Sequence, residues 1–169
     1  MSKIIMICGS TGAGKTTYAQ KLLGQMSAVH YGIDEFMKAL FWMDVGEFRE
    51  GESQFEWVMT RIDRCEKLIK QLALQNIKGG ISAIMDLGFS ENKQRKKIYD
   101  WCLENNLKYE LHYIHSDPLT RWKRVEERNK NVGDSSLIVT RETFDWMEEY
   151  FKIPDTKELE QHHGIIINS

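Results

Sequence analysis

Near the start of the chain, Gly9-Ser10-Thr11-Gly12-Ala13-Gly14-Lys15-Thr16 matches the spacing G-x-x-x-x-G-K-[S/T] in full. Glycines at these positions let the backbone curl until consecutive N–H groups point inward at anionic oxygens. Lys15 adds a point charge for terminal phosphates, and the Thr16 hydroxyl is a hard oxygen ligand for magnesium. A helix opening at Lys15 directs the positive end of its dipole at the same spot. Residues Gly9, Ser10, Thr11, Gly12, Ala13, Gly14, Lys15, Thr16 and Thr17 are therefore expected to hold a nucleoside polyphosphate, ATP with Mg2+, with Thr16 as the metal ligand.

Two acids follow at the ends of apolar runs. Asp34 closes Ala28–Ile33 and opens a short amphipathic segment. In a parallel sheet such a carboxylate faces the ligand crevice, where it can orient a hydroxyl and accept its proton. It is equally readable as a helix N-cap. Asp86 ends Ile81–Met85, where an acid orders the water shell of magnesium or contacts substrate. The plainer reading is a strand-ending turn, with Ser90 capping the next helix. Lys38 is assigned with Asp34 and Asp86 to substrate binding. Arg121, Arg124 and Arg128 are spaced to share one helix face. Arginines that close over a transferring phosphoryl group stabilise its charge, although Glu126 and Glu127 beside them also suit a solvated helix.

These residues need a scaffold. Lys3–Cys8 is a short apolar run bounded by glycine, which predicts a strand buried on both faces. Further strands are predicted at Ala28–Ile33, Ile81–Asp86, Tyr109–His115 and Gly164–Asn168. Helices are predicted over Lys15–Leu23, Asp34–Phe41, Gln54–Asn76, Glu91–Asn105, Asp117–Asn129 and Arg141–Phe151, with a short one from Pro154. Asp44–Gly51 reads as a loop. The alternation predicts an α/β fold in three layers, a parallel sheet between helices, in one domain spanning residues 1–169. Residues 118–140, with a Gly133 hinge, suit a helical lid.

Composition narrows the partners. With 169 residues and 41% hydrophobic content the chain can bury a core, and a formal charge of −2 gives no global pull toward nucleic acid or membrane. Three scattered cysteines argue against a disulfide framework or zinc site and suit a reducing compartment. No apolar run approaches the ~20 residues that cross a bilayer, and Met1-Ser2-Lys3 begins no signal peptide, so a cytoplasmic location is expected. His112 and His115 fall on opposite strand faces and form no ligand pair. His162 and His163 read as surface residues, and the tryptophans as packing.

With those residues in place, the chain resembles the small P-loop kinases of the polynucleotide kinase, chloramphenicol phosphotransferase and zeta toxin group, including their AAA-type ATP-binding domains. The likeness rests on Gly9–Thr17, Ile33-Asp34-Glu35-Phe36-Met37, Met85-Asp86-Leu87-Gly88-Phe89-Ser90 and Arg124-Val125-Glu126-Glu127-Arg128-Asn129, with Phe144–Met147 and Phe151–Pro154 also similar. It implies a P-loop NTPase fold whose five-stranded parallel sheet has the order 2-3-1-4-5, with a lid after the fourth strand. It implies Asp34 as general base, Lys15 with Arg124 and Arg128 as catalytic groups, and Arg121 as a nucleotide contact. The expected activity is transfer of the ATP γ-phosphate to a hydroxyl of a small molecule, with the acceptor and any protein partner open. A regulatory GTPase-like switch is the alternative, but Asn129-Lys130-Asn131-Val132 lacks the aspartate of N-K-x-D. A polynucleotide 5'-hydroxyl kinase is disfavoured by the absence of a long basic tract.

Overall fold

Five short runs pair in parallel to make the sheet: β1 (Ile4–Cys8), β2 (Ala28–Gly32), β3 (Ser82–Asp86), β4 (Tyr109–His115) and β5 (Ile165–Asn168), in the order β2-β3-β1-β4-β5. The computed structural model describes residues 1–44, 51–130 and 138–169. The loop read after Asp44 and the stretch containing Gly133 lie mostly outside them.

Burial along the strands matches their places in the sheet. Every residue of β1 and of β3 is buried, because helices cover both faces and neighbouring strands cover both edges of β1. β1 registers Ile4, Ile5 and Met6 against Ala83, Ile84 and Met85 on one side, and against Tyr109, Glu110 and Leu111 on the other. The mostly exposed β5 completes one edge beside β4, and β2 the other beside β3.

α1 (Lys15–Leu23) covers one face, where Ile5, Ile7, Ala13, Ala19, Leu22, Ile84 and Ile114 form a core. α2 (Ile33–Phe41), α3 (Gln54–Lys78) and α4 (Asn92–Glu104) cover the other. Their contributions there include Ile33, Cys65, Ile69, Ala73, Ile98 and Cys102, packed on Met6, Met85 and Leu111. α3 buries Cys65, Ile69 and Ala73 at i, i+4, i+8, and a Ser53–Glu56 capping box starts it. All three cysteines are buried and unpaired, and burial pushes the Cys8 and Cys102 thiols up to about 12.

Three boundaries differ from the sequence-based expectation, each for a local reason. α2 begins at Ile33, so Asp34 lies inside its first turn rather than capping it. α4 is capped by Glu91 in a box with Gln94, while Ser90 Oγ donates back to the Gly88 carbonyl at 3.3 Å. The φ of +87° at Gly88 and +31° at Phe89 turns Ser90 away from the helix end. His162 is half-buried rather than on the surface: it stacks 3.6 Å from Tyr99 and meets the Tyr109 hydroxyl at 2.9 Å.

The segments around the third strand's exit are tied together by charge. Arg95 on α4 is 1% exposed, and it grips Glu158 of α7 (Thr156–Gln161) through Nε at 2.6 Å and Nη2 at 2.8 Å. Its Nη1 donates to the carbonyls of Phe89 and Lys152, and Tyr99 and Asn92 fill the remaining acceptor sites on Glu158. Burial disfavours the Glu158 carboxylate, but bonds from Arg95 overcome that and hold its pKa below the ordinary value. Removing one member of such a pair strands the other.

Glu158→Gln should therefore lower unfolding stability by about 3–5 kcal/mol at neutral pH, read from urea denaturation. A carboxylate with a depressed folded-state pKa contributes stability that is complete above its ordinary pKa of about 4.3 and is lost as pH falls through the folded value. The gap between wild type and variant should accordingly shrink in acid.

Candidate functional site

The loop after β1, the start of α2 after β2, the end of β3 and the exit of β4 open on one edge of the sheet. In a parallel sheet with this order, that edge holds the ligand crevice, because the chains leaving neighbouring strands diverge there.

The loop Gly9–Gly14 lines the centre of that edge. It is pressed so tightly against its neighbours that two positions admit no side chain. A Cβ on Gly12 would sit 2.5 Å from the Arg121 carbonyl oxygen, with a φ of +78° that L-residues avoid. One on Gly9 would sit 2.7 Å from the Ile114 carbonyl oxygen. α1 starts at Lys15 with no side-chain cap. The amides of its first turn are thus left for a ligand, as an anion site requires. Lys15 Nζ donates to the carbonyls of Gly9 at 3.0 Å and Ser10 at 3.3 Å, holding its charge over the loop.

Beside the loop, Thr16 Oγ1 donates to Asp86 Oδ2 at 3.1 Å. Asp86 is 7% exposed. Burial raises its pKa; Lys15, the Thr16 hydroxyl and His30 pull it back, and Asp34 pushes it further up. Lys15, Thr16, Asp34 and Asp86 thus share one electrostatic neighbourhood. Asp34 and Lys38 are exposed on α2, with Asp34 in the first turn, where a negative charge complements the helix dipole.

The three arginines of α5 (Pro118–Lys130) divide into different environments. Arg121 is 5% exposed. It pairs through both terminal nitrogens with Glu148 of α6 (Arg141–Tyr150), and donates to the carbonyls of Ser116 and Thr11. The Arg121 hydrogen bonds hold the Glu148 carboxyl below its ordinary pKa. Its guanidinium braces the outer wall of the loop. Arg124 is exposed and reaches Ser169 Oγ at 3.1 Å and the Ala13 carbonyl at 3.5 Å. Arg128 is exposed one turn further on.

Sequence reasoning passed over Glu148 and His30. Glu148 lies 27 positions from Arg121 and carries no local signal. His30 precedes Asp34 on β2, and only the twofold repeat of a strand, which puts it on the face of Gly32, pointed to the site. Its side chain is 5% exposed, with Nε2 4.0 Å from Asp86 Oδ2 and Nδ1 4.0 Å from Glu35 Oε1.

The residues fit a polyphosphate with a divalent cation. The glycine cradle supplies amides and a lysine, and Thr16 with Asp86 supplies the hard oxygens that magnesium prefers. Among the described residues no cluster of three or more His, Cys, Asp or Glu could hold a metal alone.

This loop, sheet order and crevice define a P-loop nucleotide-binding α/β protein. A family model described as an AAA domain matches residues 4–154, and the chain belongs to that family. No curated protein matches it in sequence. Among solved structures it is similar to Kti12 of Chaetomium thermophilum in complex with ADP-AlF3, with a TM-score of 0.66 at 11% identity, covering 98% of this chain and 88% of that one. It is also similar to a sugar kinase of Janibacter sp. HTCC2649, with a TM-score of 0.61 at 13% identity over 99% and 86% of the two chains. A gluconokinase of Sinorhizobium meliloti 1021 gives 0.62 at 12% identity over 98% and 82%. At these identities the likeness is one of fold.

A methyl group at position 12 has no room against α5 and no allowed φ. Gly12→Ala should cost on the order of 1–3 kcal/mol of stability and weaken nucleotide binding at least tenfold, measured by titration with a fluorescent ADP analogue.

Proposed function

We propose that the protein is an ATP-dependent phosphotransferase that moves the γ-phosphate of ATP to a hydroxyl of a small-molecule acceptor. One observation carries this reading: Thr16 and Asp86 are bonded beside Lys15, and Asp34 stands close enough to raise the Asp86 pKa. A nucleotide switch needs the first three groups. A fourth, exposed carboxylate at the start of α2 is what an acceptor hydroxyl needs. Two of the similar folds are a sugar kinase and a gluconokinase, which supports a small hydroxyl-bearing acceptor.

Magnesium, when bound, neutralises charge on the phosphate oxygens, and Thr16 is the residue that would hold it. The loop amides from Gly9 to Thr16 and the Lys15 ammonium bind the β- and γ-phosphates and keep them in line with the acceptor. Asp34 orients the acceptor hydroxyl and takes its proton as the new O–P bond forms, and the bond to the β-phosphate oxygen breaks with ADP leaving. Lys38, on the same helix, contacts the acceptor. Arg124 and Arg128, exposed on α5, neutralise the equatorial oxygens as the charge spreads, and the lid expected after them reaches past residue 130, outside the described residues. Arg121 serves the nucleotide through the loop that it braces. The three buried, unpaired thiols fit a reducing, cytoplasmic setting. Among the described residues no helix is long and apolar enough to cross a membrane, in keeping with an acceptor dissolved in water.

Radiolabelled phosphate transfer from ATP across a panel of sugars, polyols, nucleosides and hydroxyl-bearing antibiotics tests the reading. Asp34→Asn should bind ATP with nearly wild-type affinity while losing roughly 10²–10⁴ in turnover on the best acceptor. Undiminished transfer by the variant would remove Asp34 from the mechanism.

A further inference from the structure

Among the described residues, two side chains keep a buried nitrogen without a hydrogen-bond partner: His30 at Nε2 and Arg61 at Nε. The Arg61 guanidinium lies 3.6 Å over the Trp57 ring, donates from Nη1 to the Trp57 carbonyl, and needs nothing further. His30 has no such compensation. Its imidazole is 5% exposed, wedged beside Gly32, whose added Cβ would meet His30 Cε1 at 3.3 Å. A buried imidazole nitrogen with no partner costs free energy that a leucine of similar size would not. Such a residue is explained when a second state of the molecule gives it a partner.

The partner at hand is Asp86. Its Oδ2 accepts one bond, from Thr16, and faces His30 Nε2 at 4.0 Å. That separation is too long for a hydrogen bond, and closing it requires a movement of about 1 Å. Lys15 is presently tied to the carbonyls of Gly9 and Ser10. A polyphosphate in the loop redirects that ammonium, and a cation on the Thr16 hydroxyl pulls on the bond that Thr16 makes to Asp86. Both changes call for a second donor to keep Asp86 aimed. His30 Nε2 is the group placed to supply it.

We propose that His30 is a positioning residue for Asp86, latching the carboxylate through Nε2 when nucleotide and magnesium fill the loop. The idea rests on the phosphotransferase reading insofar as that reading places magnesium at Thr16. It goes beyond it by giving this chain two states of one carboxylate. In the free state Asp86 is held by Thr16 alone, and in the loaded state it is held from both sides, with the imidazole preventing it from following Thr16. His30 touches neither phosphate nor acceptor, so its effect is on affinity in the presence of magnesium.

The probe is magnesium with a non-hydrolysable ATP analogue, AMP-PNP, added to the full chain. In long-range nitrogen-15 spectra of wild type, the His30 Nε2 resonance should shift on adding both components and stay in place with AMP-PNP plus EDTA. Free His30→Leu should melt at or above the wild-type temperature, because an unpaired polar atom has left the core. Its thermal shift with magnesium and AMP-PNP should be smaller, with affinity down about tenfold. His30→Gln, which keeps a donor, should recover most of that affinity. An unmoved Nε2 resonance, or a free His30→Leu that is less stable yet binds as wild type does, would assign His30 to the core and overturn the latch. Wild type that binds AMP-PNP with magnesium while His30→Leu also binds equally sinks the latch alone. Wild type that binds no nucleotide at all sinks the phosphotransferase reading and the latch with it.

Discussion

A backbone-to-backbone contact governs the shape of the site: the loop after β1 lies so close to the β4–α5 exit that Gly12 nearly touches the carbonyl oxygen of Arg121, and Gly9 that of Ile114. A phosphate cradle needs amides pointing inward, and amides point inward when carbonyls and Cα atoms are pushed outward. Here the outward side has no free volume. The concave geometry is held by packing against the start of α5 as well as by the positive φ that Gly12 and Gly14 adopt. The same contact couples the cradle to α5, the helix that carries Arg124 and Arg128.

Two buried arginines extend this constraint in opposite directions. Arg121, through Glu148, joins α5 to α6 and presses both on the loop, where Thr11 Oγ1 also meets Met147 Sδ at 3.0 Å. Arg95, through Glu158, joins α4 to α7 and fixes the carbonyls of Phe89 and Lys152 just past Asp86. Neither guanidinium faces the crevice. Each holds a segment that does, which is the work expected of planar, multidentate donors buried with a full set of acceptors. Fixed loops of this kind let exposed groups such as Asp34 and Lys38 be placed accurately on a short helix.

Legibility in the sequence followed the range of the interactions involved. The strand, loop and helix from Ile4 to Leu23 were readable because each step is local: an apolar run, glycines and a lysine-threonine pair. The parallel sheet followed from alternation, and its order from resemblance, since strand order is a long-range property that no short pattern encodes. Asp34 and Asp86 were readable as acids at strand ends, yet their proximity was not, because it depends on β2 pairing with β3 in the register Gly32 to Asp86. Arg121 was grouped with Arg124 and Arg128 by helical spacing. Burial against Glu148 separates it from them, and that partner lies on another helix. Ser90 looked like a cap because serine favours caps, but two positive-φ residues before it turn its hydroxyl the other way. His30 carried only the twofold repeat that puts it on the strand face of Gly32, since its significance is a missing bond.

The division between backbone and side-chain control also bears on how such a fold takes an acceptor. On the nucleotide side, recognition is by main-chain amides whose positions the sheet dictates, so the same loop serves any chain with the motif. On the other side stand α2 and α3, whose facing surfaces are made by side chains: Phe36, Met37 and Phe41 of α2 pack at the core margin, and the Arg61 guanidinium of α3 stacks on Trp57 and approaches Phe41 at 5.6 Å. Such a wall changes by substitution without disturbing the cradle, because no hydrogen bond of the loop passes through it. The physical consequence is an asymmetry of tolerance. Changes around Gly12 or Arg121 propagate into the phosphate site, while changes at the partly buried Phe36, Met37 and Phe41 act on the α2–α3 wall and the core margin that it borders.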